Sequence, residues 1–221
     1  MGSDDLFHKR KAKAADDLRR RKAKRAPYAK VLIVCEGEKT EPLYFEDLVA
    51  ENCLNSANVE VDRSSGSSPK SVFEHAVNLW EKEQRKGDPF DKVYCVFDKD
   101  SHESYQETLK RIAIQKPEGI FFAAVSVPCF EYWLLLHFEY TTKPYSTTGG
   151  SSCAEEAIKD LQKYMPNYSK GDTEIYSTLK DQLDFAKANA KRSLQHAASS
   201  HTDNPSTNIC ELVELLEQLK E

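Results

Sequence analysis

Five consecutive apolar residues, Val31–Cys35, run directly into Glu36, Gly37 and Glu38 within the stretch VLIVCEGEKTEP. An unbroken apolar run of this length predicts a strand buried on both faces, the kind found in parallel sheets. Sixty-two positions after Glu36 a second run, VYCVF, ends in Asp98–Lys99–Asp100. In an open α/β sheet, sites collect at the carboxyl ends of the strands, so two acid-tipped strands would gather Glu36, Asp98 and Asp100. Carboxylates packed together repel unless one is protonated or a cation lies between them. The sequence has no cysteine–histidine cluster to favour a softer metal, so the expected ion is Mg²⁺ or Mn²⁺. The plain alternative is a pair of polar turns with exposed acids.

The pattern around these turns supports a sheet. After Pro27, Val31–Cys35 is the first strand, and Thr40–Ala50 carries helical spacing, with Pro42 in the first turn. Val59–Val61 is a short second strand, RSSGSS (63–68) is a loop, and Ser68–Pro69 starts a helix. Val72, Phe73, Ala76, Leu79 and Trp80 mark that helix's apolar face. Lys92–Phe97 is the third strand, Tyr105, Leu109 and Ile112 mark a third helix, and Ile120–Val127 is the fourth strand. Strict alternation of strand and helix predicts a parallel sheet with right-handed crossovers.

Beyond Pro128 the pattern changes. FEYWLLLHF (130–138) is apolar all round and predicts a buried helix, Lys143–Ser152 is turn-forming, and helices are expected at Ala154–Tyr164, Glu174–Ala198 and Ser206–Lys220. The last has Ile209, Leu212, Val213, Leu216 and Leu219 on one stripe, with Ser206 or Thr207 as cap. The fold expected is α/β: a mainly parallel sheet flanked by helices, with a helical C-terminal part. Three regions follow: a basic arm (1–29), an α/β core (30–140) and a helical extension packed on the core (141–221).

Charge is unevenly divided. Residues 1–30 hold eleven Lys/Arg against four Asp, leaving twenty basic against thirty-two acidic groups in the rest. A basic arm on an acidic body suits phosphate contact, and equally suits a solvated tail. No apolar run approaches the ~18 residues of a membrane helix, and no secretory h-region is present. Six scattered cysteines without a C-x-x-C pair fit a reduced, cytoplasmic setting.

Three reaction classes can use an acid-tipped α/β sheet. A phosphatase of the haloacid-dehalogenase type opens its domain on Asp-x-Asp, whereas here a whole acidic turn precedes it. A receiver-type domain needs one isolated Asp and leaves Glu36 unexplained. Metal-dependent phosphodiester chemistry uses acids from separate strands around divalent ions.

Strand–Glu–Gly at Glu36–Gly37 followed by strand–Asp-x-Asp at Asp98–Asp100 resembles the Toprim domain of topoisomerases, primases and OLD-type nucleases. More narrowly, IVCEGEKTEPLYF (33–45), VFDKDSH (96–102), FEYWLLLHF (130–138) and NPSTNICELVELL (204–216) resemble the RloB family of prokaryotic phage-defence proteins. The Toprim resemblance implies Glu36 as acid/base and Asp98 and Asp100 as metal-holding residues, and Glu41 resembles the additional metal-binding Glu of the OLD-type nucleases. Glu131, a lone acid in an apolar segment, must face the metal site or pair with a base. Lys39 and Lys99, beside the acids, are candidate phosphate contacts, or simple charge balance. His137 reads as a core histidine, and His102 as a solvent-exposed residue of a first helical turn.

The function implied is a Mg²⁺-dependent nuclease effector of a phage-defence (abortive infection) system, acting on DNA or RNA. The alternative is a non-catalytic nucleic-acid-binding or sensor subunit. No G-x-x-x-x-G-K-[ST] motif is present, and the resemblance implies a separate ATPase partner.

Overall fold

The computed structural model describes residues 28–54, 58–64, 66–99, 102–147 and 149–219, together with Lys11, Lys13 and Asp16, which are helical. The rest of the expected basic arm and Asp100 lie outside the described residues.

Strand β1 (Val31–Cys35) leads to helix α1 (Thr40–Glu51), then β2 (Val59–Asp62), α2 (Pro69–Arg85), β3 (Lys92–Asp98), α3 (Tyr105–Ile114) and β4 (Phe121–Val127). The sheet runs β2-β1-β3-β4-β5, where β5 is Ser206–Thr207 near the C-terminus. The first four strands are mutually parallel and β5 is antiparallel to β4. Register sets Cys35 against Val96 and Asp98 against Ser126, so β1 and β3 end side by side.

Alternation along β1 explains why every one of its residues is buried. Leu32 and Val34 join Val93, Cys95 and Phe97 beneath α2 and α3, packing on Val72, Phe73, Trp80 and Ile112. Val31, Ile33 and Cys35 face the other way, towards Tyr44, Phe45 and Leu48 of α1. That second core continues through the C-terminal helices: α4 (Phe130–Leu135), α5 (Cys153–Leu161), α6 (Ile175–Leu179), α7 (Leu183–Ser200) and α8 (Ile209–Gln218). A sheet whose two faces are each sealed by helices has its edges at the strand ends as the open surface.

Local chemistry fixes the helix starts. Ser68 caps α2: its Oγ accepts from the Ser71 N–H at 3.2 Å while Ser71 Oγ accepts from the Ser68 N–H at 3.1 Å, with Pro69 in the first turn. Ser152 and Glu155 make the equivalent pair at α5.

Three expectations are corrected. Ser206 and Thr207 do not cap the last helix but pair with Val127 and Ser126 as β5, and Asn208 takes the cap position. The Asn208 side chain is turned to the sheet, accepting from the Val125 N–H at 2.7 Å and donating to the Ala123 carbonyl at 2.9 Å. The helix expected over 174–198 is broken at a 3₁₀ turn, Lys180–Gln182, between α6 and α7. The buried helix expected over 130–138 is regular only to Leu135, although burial continues through His137.

Candidate carboxylate cleft

At the carboxyl edge of β1 and β3 a cleft of about 400 Å³ is lined by Glu36, Gly37, Glu38, Lys39, Thr40, Glu41, Asp98 and Lys170. Glu36 leaves β1 with its N–H still donated to Val96 at 2.9 Å, so the sheet ladder extends one residue beyond the strand. Gly37 then takes φ +76°, a left-handed turn that glycine adopts without Cβ strain, and donates its N–H to the Gly66 carbonyl at 3.2 Å. The turn lets α1 begin at Thr40 and places Glu41 in its first turn, where a helix N-terminus favours negative charge.

Glu36 is oriented from both sides. Its Oε2 accepts from the Asp98 backbone N–H at 3.2 Å, and its Oε1 lies 3.3 Å from His102 Nε2. His102 therefore corrects its sequence reading: it precedes α3 by three positions and turns back to the acid, with about a third of its side chain exposed (35%).

Glu131 stands at the start of α4, only 1% exposed. Its Oε1 accepts from Tyr168 Oη at 3.1 Å and lies 3.5 Å from Lys170 Nζ. Its Oε2 is buried and has no hydrogen-bond partner among the described residues. Glu131 thus has a base partner and a spare acceptor.

These acids feel one another. Burial, then the charges of Glu131 and Glu36, push the Glu41 carboxyl up to about 7, against the pull of its own backbone N–H and of Lys170. Asp98 retains some solvent contact, yet loss of solvation followed by the charges of Glu41, Glu131 and Glu36 raises its pKa well above the usual carboxylate range. Lys170 opposes that rise, and its own pKa is raised: burial acts against it, but Glu131, Asp98 and Glu41 hold the proton on. Four carboxylates and one ammonium form a single electrostatic unit.

The two lysines named from sequence separate. Lys39 is exposed on the cleft, its aliphatic stem against the segment at Gly171. Lys99 grips both oxygens of Asp203 at 2.6 Å and lines a neighbouring cavity of about 280 Å³, with Val127, Pro128, Cys153 and Asn204. His137 sits in the core: Nδ1 donates to the Trp133 and Leu134 carbonyls at 3.1 and 3.2 Å, and burial lowers its pKa to about 4. Lys170 was not singled out from sequence. It lies between helices, in a polar segment without a motif, and only the tertiary fold brings it to the acids.

The family model described as RloB-like protein matches residues 31–216. The chain belongs to the RloB-like family. The matched stretch contains every residue of this RloB-like chain that lines the cleft, together with Glu131, and leaves out the basic arm. No curated protein and no solved structure matched it.

The donor set of the RloB-like cleft is all carboxylate oxygen, as a hard divalent ion prefers. Burial and mutual repulsion raise the proton affinities of Glu41 and Asp98, and Glu131 Oε2 is left unpaired among the described residues, so a cation in the cleft would relieve all three. Among the described residues no three His, Cys, Asp or Glu side chains stand close enough together to hold a metal as they are. The donors suit Mg²⁺ or Mn²⁺ in kind, and holding one would require side-chain movement inward.

Proposed function

We propose that this protein is a Mg²⁺- or Mn²⁺-dependent nuclease effector of a prokaryotic phage-defence system, cutting phosphodiester bonds of DNA or RNA at a Toprim-type carboxylate site. The observation that carries this reading is the convergence of Glu36, Glu41 and Asp98 on one cleft, with Glu131 coupled to them. Membership of the RloB-like family and the motif resemblance to Toprim sites support it. So does simple electrostatics, since repelling acids are costly to keep unless a cation uses them.

In this reading Asp98, Asp100 and Glu41 would hold the ion, with Glu131 as a reserve acceptor. When bound, the ion neutralises charge at the scissile phosphate and favours ionisation of the attacking water. Glu36 moves the proton: the Asp98 N–H fixes one oxygen, and His102 beside the other offers the proton a way out to solvent. Lys39, exposed on the rim, contacts the backbone phosphate. Lys99 is held by Asp203 and organises the neighbouring cavity instead.

A second reading has one observation in its favour. The ammonium of Lys170 already compensates these acids, as in a scaffold that binds nucleic acid or senses it beside an ATPase partner without cutting. Cleavage separates the two. End-labelled DNA and RNA are incubated with wild type and Glu36→Ala, with Mn²⁺ and with chelator. The nuclease reading expects ion-dependent products from wild type only. Products that persist in Glu36→Ala, or none with any ion, would sink it.

A further inference from the structure

Lys170 is the one element of the cleft supplied by the segment between α5 and α6. Half of its side chain is exposed (51%), yet its Nζ reaches 3.5 Å from Glu131 Oε1, an atom group almost wholly sealed from solvent. Tyr168, two residues earlier and buried, donates to the same oxygen at 3.1 Å. Gly171, with φ +99°, passes beside the aliphatic stem of Lys39, where a Cβ would be in ordinary van der Waals contact at 3.4 Å from Lys39 Cδ. The segment is thus seated on the cleft by a hydroxyl and an ammonium, with Gly171 against the stem of Lys39, while Glu131 Oε2 stays unpaired among the described residues.

We propose that Lys170 is a tethered counter-ion, occupying the carboxylate cluster in the metal-free protein and giving way when a divalent cation binds. The inference rests on the metal-site reading above. Lys170 pairs with Glu131 and lines the cleft beside Glu41 and Asp98, so a divalent ion held there would meet its ammonium, and like charges within a few ångströms repel. Metal occupancy is therefore coupled to the position of the Lys170 ammonium, and by linkage whatever draws that ammonium off Glu131 tightens metal binding.

The test uses the full chain at pH 8, comparing wild type, Lys170→Met, Lys170→Arg and Lys110→Met, a remote exposed lysine on α3, with Asp98→Asn as the metal-site control. Mn²⁺ affinity is measured by calorimetry, and thermal melts with chelator check folding. Lys170→Met is expected to bind Mn²⁺ on the order of tenfold tighter, with Lys170→Arg and Lys110→Met close to wild type. Equal or weaker binding by Lys170→Met, with binding still lost in Asp98→Asn, overturns the counter-ion while leaving the metal site standing. Absence of binding in every protein overturns both. Should Lys170→Met fold poorly, amine labelling of wild type decides. An amine-reactive reagent, read by peptide mass spectrometry, should modify Lys170 about threefold faster with Mg²⁺ present, because release from Glu131 frees the amine. Lys110 should not change. An unchanged Lys170 rate overturns the proposal.

Discussion

Glu41→Gln should stabilise the metal-free protein, by an amount that grows as pH rises from about 4.5 to 7. Glu41 is nearly buried, and its carboxyl titrates at about 7 instead of 4.5. Each tenfold change in proton affinity corresponds to about 1.4 kcal/mol, so ionising Glu41 in the folded chain costs about 3 kcal/mol more than in the unfolded chain. The folded pKa is raised, so between pH 4.5 and 7 the folded state holds a proton that the unfolded state has lost. Stability therefore falls as pH rises through that window and levels off above it. Glutamine keeps an oxygen for the backbone N–H that now restrains Glu41, but carries no charge. The gain over wild type should be near zero at pH 4 and approach about 3 kcal/mol at pH 8, roughly 6–10 °C in melting temperature for a chain of this size. Urea or thermal unfolding with chelator, at both pH values, measures it. Destabilisation at pH 8, or a gain of equal size at both pH values, would refute the electrostatic account of the cleft.

Asp98→Asn should act in the same direction in metal-free protein, because it too removes one of several repelling charges, while abolishing any ion-dependent activity. A large fall in melting temperature without metal would make Asp98 a structural residue instead. His137 gives the opposite slope. Its folded pKa is lowered to about 4, so as pH falls below 6.5 the unfolded chain takes up the proton first and stability is lost down to about pH 4, by up to about 3 kcal/mol. His137→Gln should flatten that part of the stability–pH curve, and an unaltered curve would contradict the burial argument. Gly37→Ala should cost roughly 1 kcal/mol in denaturant unfolding, from the left-handed backbone alone, since no atom of the described residues lies within 4 Å of the added Cβ. A loss several times larger would mean that the turn is crowded.

The strands that build the site were legible because β1 and β3 are buried on both faces and so read as unbroken apolar runs. The acids at their ends were legible for the same reason, as abrupt changes of polarity. What was not legible depended on distant partners. Ser206–Thr207 becomes a strand only through pairing with Ser126 and Val127, some eighty residues away in sequence. Lys99 reads as a neighbour of Asp98, but the pull of Asp203 turns it to the adjoining cavity. Lys170 has no local signature at all, because its significance is the charge of Glu131, Asp98 and Glu41 around it. The break at Lys180–Gln182 contains neither glycine nor proline, so nothing in the local sequence announces it.

Anomalous diffraction from crystals grown with Mn²⁺ locates any bound ion. A cation site at the sheet edge should give a peak in the cleft bounded by Glu36, Glu41 and Asp98, lost in Asp98→Asn, with Lys170 Nζ moved away from Glu131. A map without a peak there at saturating Mn²⁺, or with one only at a remote surface site, would contradict it.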